Sequence, residues 1–310
     1  MDLKKLVENK VLIFDGAMGT MLQNRGMPSG AATAMMNLEM PDTVAGIHAD
    51  YVDAGAQVVL TNTFQAHEWN LSGVSVENVA SAAVDCARAS GAQYIALETG
   101  PIRKTLGPSG DLSFEQAYEA YRRLMLAGES AGADCILIAT MFDLLEAKAA
   151  VRAAKQNTGL PAICTMTFGE DGRTFLGCDP VRAVLTLESL GVDALGANCS
   201  AGPDMLLPVV EQMLRHTTLP LLVKPNAGLP VMQGGRAIYE LTPDNFARKM
   251  EQMADMGISM LGGCCGTTPA HIRALAQRVG GRKTAKHPPK SISVKTPRFG
   301  IGATASVARN

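Results

Sequence analysis

Aromatic side chains are scarce in this 310-residue chain, 5% of the total with a single Trp, so it lacks the stacking platforms on which single-stranded nucleic acids are held. Charge of one sign is missing too: 28 basic residues face 29 acidic ones, and a formal net charge of −1 supplies no field to gather nucleic acid or an anionic membrane surface. No apolar run approaches the roughly 20 residues needed to cross a bilayer. The first residues mix both charges and show neither the apolar stretch nor the small-residue cleavage site of a secretory signal, so a cytoplasmic location is expected. Cysteine is present only seven times, an odd count that argues against a disulfide framework in a reducing compartment. The thiols are expected to be free, buried or metal-bound. Nucleic acid and membrane are therefore not expected as partners.

What is present is a 47% hydrophobic, 18% charged chain with 31 glycines, long enough to bury a full core. One unit recurs along it: a short β-branched run, then Gly or polar residues, then apolar residues at helical spacing. Strands are expected over 11–16, 57–64, 93–100, 134–140, 161–168, 193–200, 219–227 and 258–266. The clearest helices fall at 114–131, 143–155, 180–190, 205–215, 243–256 and 269–279, and the pairs Thr242-Pro243 and Thr268-Pro269 read as helix starts. Nearly continuous apolar strands separated by helices imply a parallel sheet covered on both faces. Eight such units point to an α/β fold, a single (β/α)8 TIM barrel over residues 1–281. The rival, a doubly wound open sheet, lacks its Gly-x-Gly-x-x-Gly, which Asp15-Gly16-Ala17-Met18-Gly19 is not. Residues 282–310 hold seven of the basic residues and no acidic one, with Pro288-Pro289 and Pro297 among small polar residues. That is a linker-like basic tail, a solvated tether or a docking element. It leaves the barrel acidic.

In a barrel the reactive side chains stand at the carboxyl ends of the strands. Strand six ends Gly196-Ala197-Asn198-Cys199-Ser200 and strand eight Gly262-Gly263-Cys264-Cys265-Gly266, so Cys199, Cys264 and Cys265 are expected at one rim. Successive residues on a strand point to opposite faces, and both members of the Cys pair can face one point only if the backbone turns sharply, as the flanking glycines permit. Three thiolates suit tetrahedral Zn²⁺ with one coordination position left for a reactant. A fourth protein ligand is not excluded, although His67 and His271 are not obvious candidates. Cys86, Cys135, Cys164 and Cys178 read as small buried residues.

Zinc held by three thiolates carries a net negative charge, polarises a carbonyl weakly and is well suited to an incoming thiol bound as its thiolate. Alkyl transfer to sulfur follows, without need of a general base. Hydrolysis by zinc-bound water is the competing use, normally run on His and carboxylate ligands.

These residues resemble the homocysteine S-methyltransferase family, most closely the homocysteine-binding module of cobalamin-dependent methionine synthase. The likeness runs from Phe14-Asp15-Gly16-Ala17-Met18-Gly19-Thr20 through Thr61-Asn62-Thr63-Phe64, the Asn198-Cys199 element and Pro225-Asn226-Ala227-Gly228 to the Gly-Gly-Cys-Cys-Gly turn. Asp171-Gly172-Arg173 behind Met166-Thr167-Phe168 is more like the cobalamin-dependent branch than the betaine-dependent one. The resemblance implies a zinc barrel that methylates homocysteine to methionine. Asp15, Gly16, Ala17 and Met18 would line the acceptor's amino acid end, their backbone N–H groups forming a nest for its carboxylate, with Asn226 also binding substrate. Asp15 can equally cap the turn.

One departure matters. The family's fourth strand ends in a Glu-Thr pair whose carboxylate is expected to hold the substrate ammonium, and this chain reads Ile138-Ala139-Thr140. The third strand carries Glu98-Thr99 instead, one strand spacing of about 4.8 Å away. Glu98 is expected to supply the missing charge; otherwise the acceptor is a different thiol. The resemblance further implies a methyl donor from outside the chain, a methyl-corrinoid on a protein that docks over the barrel mouth, or S-methylmethionine or betaine. A barrel that binds a thiol or zinc without turnover is the remaining reading.

Overall fold

The computed structural model describes residues 3–285 except 9, 29, 108, 109, 201, 234 and 235. Its strands, in chain order, are β1 Leu12–Ile13, β2 Val58–Leu60, β3 Tyr94–Thr99, β4 Cys135–Met141, β5 Ala162–Met166, β6 Ala194–Cys199, β7 Leu221–Pro225, β8 Pro230–Gln233, β9 Arg236–Tyr239 and β10 Met260–Leu261. The helices are α1 Leu3–Glu8, α2 Gly19–Asn24, α3 Met36–Glu39, α4 Pro41–Asp53, α5 Val76–Ala89, α6 Phe114–Ala131, α7 Leu144–Asn157, α8 Pro180–Ser189, α9 Pro203–His216, α10 Pro243–Asp255 and α11 Pro269–Val279.

Local chemistry sets these boundaries. Ser113 and Gln116 close a capping box at the start of α6, which ends at Gly132 with φ +94°. Asp179 accepts from Arg182 N and Pro180 follows at the first turn of α8. Thr268 caps α11, with His271 completing the reciprocal pair, whereas Thr242 occupies the cap position of α10 without a side-chain bond.

Eight parallel strands form one sheet in the order β1-β10-β7-β6-β5-β4-β3-β2. A parallel bridge between Phe14 and Val58, with Gln57 N donating to Ile13 O, joins its two edges. The expected (β/α)8 barrel is thus the fold. Its interior is apolar: Leu12, Phe14, Val58, Leu60, Ala96, Leu137, Ala139, Ile163, Leu222 and Met260 pack there, with Leu3 and Val7 of α1 in the same cluster. Alternate residues such as Ile136 and Ile138 face outward into the second core, beneath the helices. Cys86, Cys135, Cys164 and Cys178 are buried packing residues, as expected.

The expected eighth strand over 258–266 is a ladder of only two residues, because the chain turns away at Gly262. The antiparallel hairpin of β8 and β9, inserted after β7, was not expected. Arg282 O still accepts from Val11 N, and Thr284 Oγ1 donates to Val7 O, so the first residues past the expected boundary are bonded to the barrel. The rest of the expected tail, 286–310, lies outside the described residues. No helix among the described residues is long and apolar enough to cross a membrane.

Candidate metal centre

The strand registers carry inward-facing positions up to the carboxyl-end mouth, where apolar residues give way to polar ones. Glu98 follows Ala96 on the inner face of β3, Thr165 follows Ile163 on β5, Asn198 follows Ala194 and Gly196 on β6, and Lys224 follows Leu222 on β7. The polar layer is tied together across the barrel. Lys224 Nζ donates to Asp15 Oδ1 at 2.7 Å and to Asp15 O at 2.8 Å, and Asp15 Oδ2 accepts from Leu60 N at 2.7 Å. Asn198 Oδ1 accepts from Thr140 N at 2.8 Å and Thr165 Oγ1 at 2.7 Å, while its Nδ2 donates to Thr140 Oγ1 at 2.7 Å.

Above this layer the three cysteines meet. The Sγ atoms of Cys199, Cys264 and Cys265 all lie within 4.8 Å of one another, and Cys199 and Cys265 are 4.0 Å apart. Two backbone devices bring them together. Cys199 and Ser200 both adopt left-handed φ, +62° and +65°, a conformation that costs energy outside glycine. It is braced by Asn226 Nδ2, which donates to Ser200 O, and by the Ser200 hydroxyl, which meets Thr167 Oγ1 and Phe168 N. On the other side, Cys264 N donates to Pro225 O and Thr267 N returns to Cys264 O, closing the turn that aims both vicinal thiols at Cys199. Gly263 is required there, since a Cβ would come within 2.3 Å of Thr267 Oγ1. Tyr51 locks this turn to the one after β1, its hydroxyl reaching both Ala17 O and Thr267 O.

The thiols are partly buried, and burial together with their mutual hydrogen bonds makes each of them harder to ionise on balance. The hydrogen bond with Cys264, then burial, pushes the Cys199 thiol up to about 12. That with Cys199, then burial, pushes Cys265 up to about 11. Cys264 is drawn down by Cys199 but goes up on balance through Cys265 and burial. A cation among them reverses this preference. Sulfurs at ~2.3 Å around a tetrahedral ion stand roughly 3.8 Å apart, so the donor set fits one bound ion with small adjustments.

Glu98 is partly exposed at the mouth, and its carboxylate makes no hydrogen bond to a described residue. Burial raises its pKa to about 8, against the pull of Lys224 and with the push of Asp15. Ala139 lies on the inner face of the adjoining strand, fully packed. Asn226 is 4% exposed and its Oδ1 has no partner among the described residues. The backbone N–H groups of Gly16, Ala17 and Met18 donate to no backbone carbonyl among the described residues. His67 instead meets Gly100 O, and His271 bonds Leu241 O and Thr268. Asn198, Thr140, Lys224 and Tyr239 were not anticipated as parts of the site.

The model of the homocysteine S-methyltransferase family matches residues 12–279, which include the three cysteines and nearly the whole barrel. The chain belongs to that family. It is 36% identical over 94% of its length to a methionine synthase of Mycobacterium tuberculosis and 35% identical over 90% to one of Mycobacterium leprae. It spans about a quarter of the length of those relatives, 26% and 25%. Among solved structures, the metallated form of the homocysteine methyltransferase MmuM from Escherichia coli superposes with a TM-score of 0.73 at 26% identity, covering 89% of this chain and 99% of that one.

Proposed function

We propose that the chain is a zinc-dependent S-methyltransferase that takes homocysteine as methyl acceptor and forms methionine. The observation that carries this is the convergence of Cys199, Cys264 and Cys265 at the mouth of a barrel of the homocysteine S-methyltransferase family. Zinc bound by those cysteines would favour the acceptor thiol as its thiolate at neutral pH, so no general base is required. The remaining residues bind and orient the acceptor. Glu98 takes its ammonium: its carboxyl is unpaired among the described residues and gives up its proton as the cation arrives, whereas Asp15 is occupied by Lys224 and Leu60. The free Asn226 Oδ1 adds a second acceptor for that ammonium. The N–H groups of Gly16, Ala17 and Met18 receive the carboxylate, and Asp15 shapes their turn through its bonds to Lys224 and Gly263. Holding both charged ends fixes the sulfur for in-line attack on the methyl carbon.

The donor is a methyl-corrinoid on another protein or module, supported by the length of the methionine synthase relatives and by an apolar rim at the mouth. Phe175 and Leu176 on the β5 side, and Leu229, Val231 and Met232 on the hairpin side, are exposed there. S-methylmethionine and betaine are the alternative donors. Ala139, where a carboxylate was expected, favours a second reading: a barrel that captures a thiol without turnover. Incubating the zinc-loaded protein with homocysteine and methylcobalamin separates the two. Methionine formation is expected; tight thiol binding without methionine, with any of the three donors, contradicts the methyltransferase reading.

A further inference from the structure

One of the three sulfurs faces a fixed hydrogen-bond donor of the polar layer. Asn198 Nδ2 donates to Cys264 Sγ at 3.9 Å. The Asn198 amide cannot turn away, because Thr140 and Thr165 hold both lone pairs of its oxygen and one of its two N–H groups. What remains is a single N–H, aimed at sulfur.

A methyl donor admitted to this mouth meets the site's own sulfurs as well as the acceptor's. Attack by a ligand cysteine would form an S–CH3 bond, break the bond between methyl and its carrier, and send the electron pair off with the carrier. The cysteine would be left as a neutral thioether, a poor ligand for zinc. A hydrogen bond to a thiolate withdraws charge from it and stabilises the unreacted form. We propose that Asn198 is a positioning residue that holds the Cys264 sulfur as a poor nucleophile, so that the methyl group is delivered to the acceptor thiol. The inference rests on the preceding reading only in taking the three cysteines as zinc-bound thiolates.

The test treats the zinc-loaded chain with methyl iodide in the absence of any thiol acceptor. Peptide mass spectrometry reads which cysteine gains a methyl group, and metal content is measured in parallel. Asn198→Ala is expected to raise the methylation rate of Cys264 about tenfold, the size of one lost hydrogen bond to a charged group, and to leave Cys199 and Cys265 unchanged. An unchanged rate at Cys264 overturns the proposal. So does a rise shared by all three cysteines with loss of metal, which a purely structural role would produce. A chain that shows the selective pattern yet makes no methionine sinks the methyltransferase reading and leaves this inference standing.

Discussion

Lys224 Nζ lies between the Asp15 carboxylate and the Asp15 carbonyl, with both partners at 4% side-chain exposure and the Phe14 ring 5.7 Å from the ammonium. Removing one member of a buried pair strands the other charge. Lys224→Met is therefore expected to destabilise the fold by about 3–5 kcal/mol in urea unfolding, and Asp15→Leu added to it should recover a large part of that loss. A single variant as stable as the parent would contradict the pairing. Glu98 makes the opposite kind of prediction. Its folded pKa is raised from 4.5 to about 8, so across that interval the unfolded chain is ionised while the folded chain keeps the proton. Its contribution to stability is greatest below the lower value and is lost as pH rises through the upper one. Glu98→Gln should flatten the decline of the urea midpoint between these limits, and an identical slope in both proteins would show that the carboxyl is not held protonated.

At the scale of elements, the close approach of β6 and β7 positions Cys199. A Cβ on Gly196 would lie 1.9 Å from Leu222 O, so Gly196→Ala must push the two strands apart. A cost of about 3 kcal/mol in the unfolding midpoint is expected, together with weaker metal binding; an unshifted midpoint would mean that the strands have room. Much of this level is legible in the sequence. The β-branched runs mark the barrel strands, and Thr242-Pro243 and Thr268-Pro269 mark the starts of α10 and α11. The rim position of the cysteines follows from strand ends and glycines. The β8–β9 hairpin escapes such reading because its four-residue strands have one Pro and no clean alternation, so Tyr239 could not be placed beside Cys265. The Asp15–Lys224 pair and the Asn198–Thr140–Thr165 network join strands remote in sequence, and their register is set by barrel closure, which no local pattern encodes.

The whole molecule separates the scaffold from the centre it carries. Both apolar clusters, inside the barrel and beneath the helices, exclude Cys199, Cys264 and Cys265. Stripping the metal with a chelator is therefore expected to leave the far-ultraviolet circular dichroism unchanged and to lower the thermal midpoint only by the linkage of a bound ligand. Collapse of the helical signal, as in small domains that fold around their metal, would mean that the cysteines hold the barrel together.

Zinc X-ray absorption on the loaded protein, with and without homocysteine, reads the centre itself. Three sulfurs are predicted in the resting first shell, from Cys199, Cys264 and Cys265, and a fourth sulfur when homocysteine is added. A first shell with fewer than three sulfurs, or one that homocysteine leaves unchanged, would contradict the account.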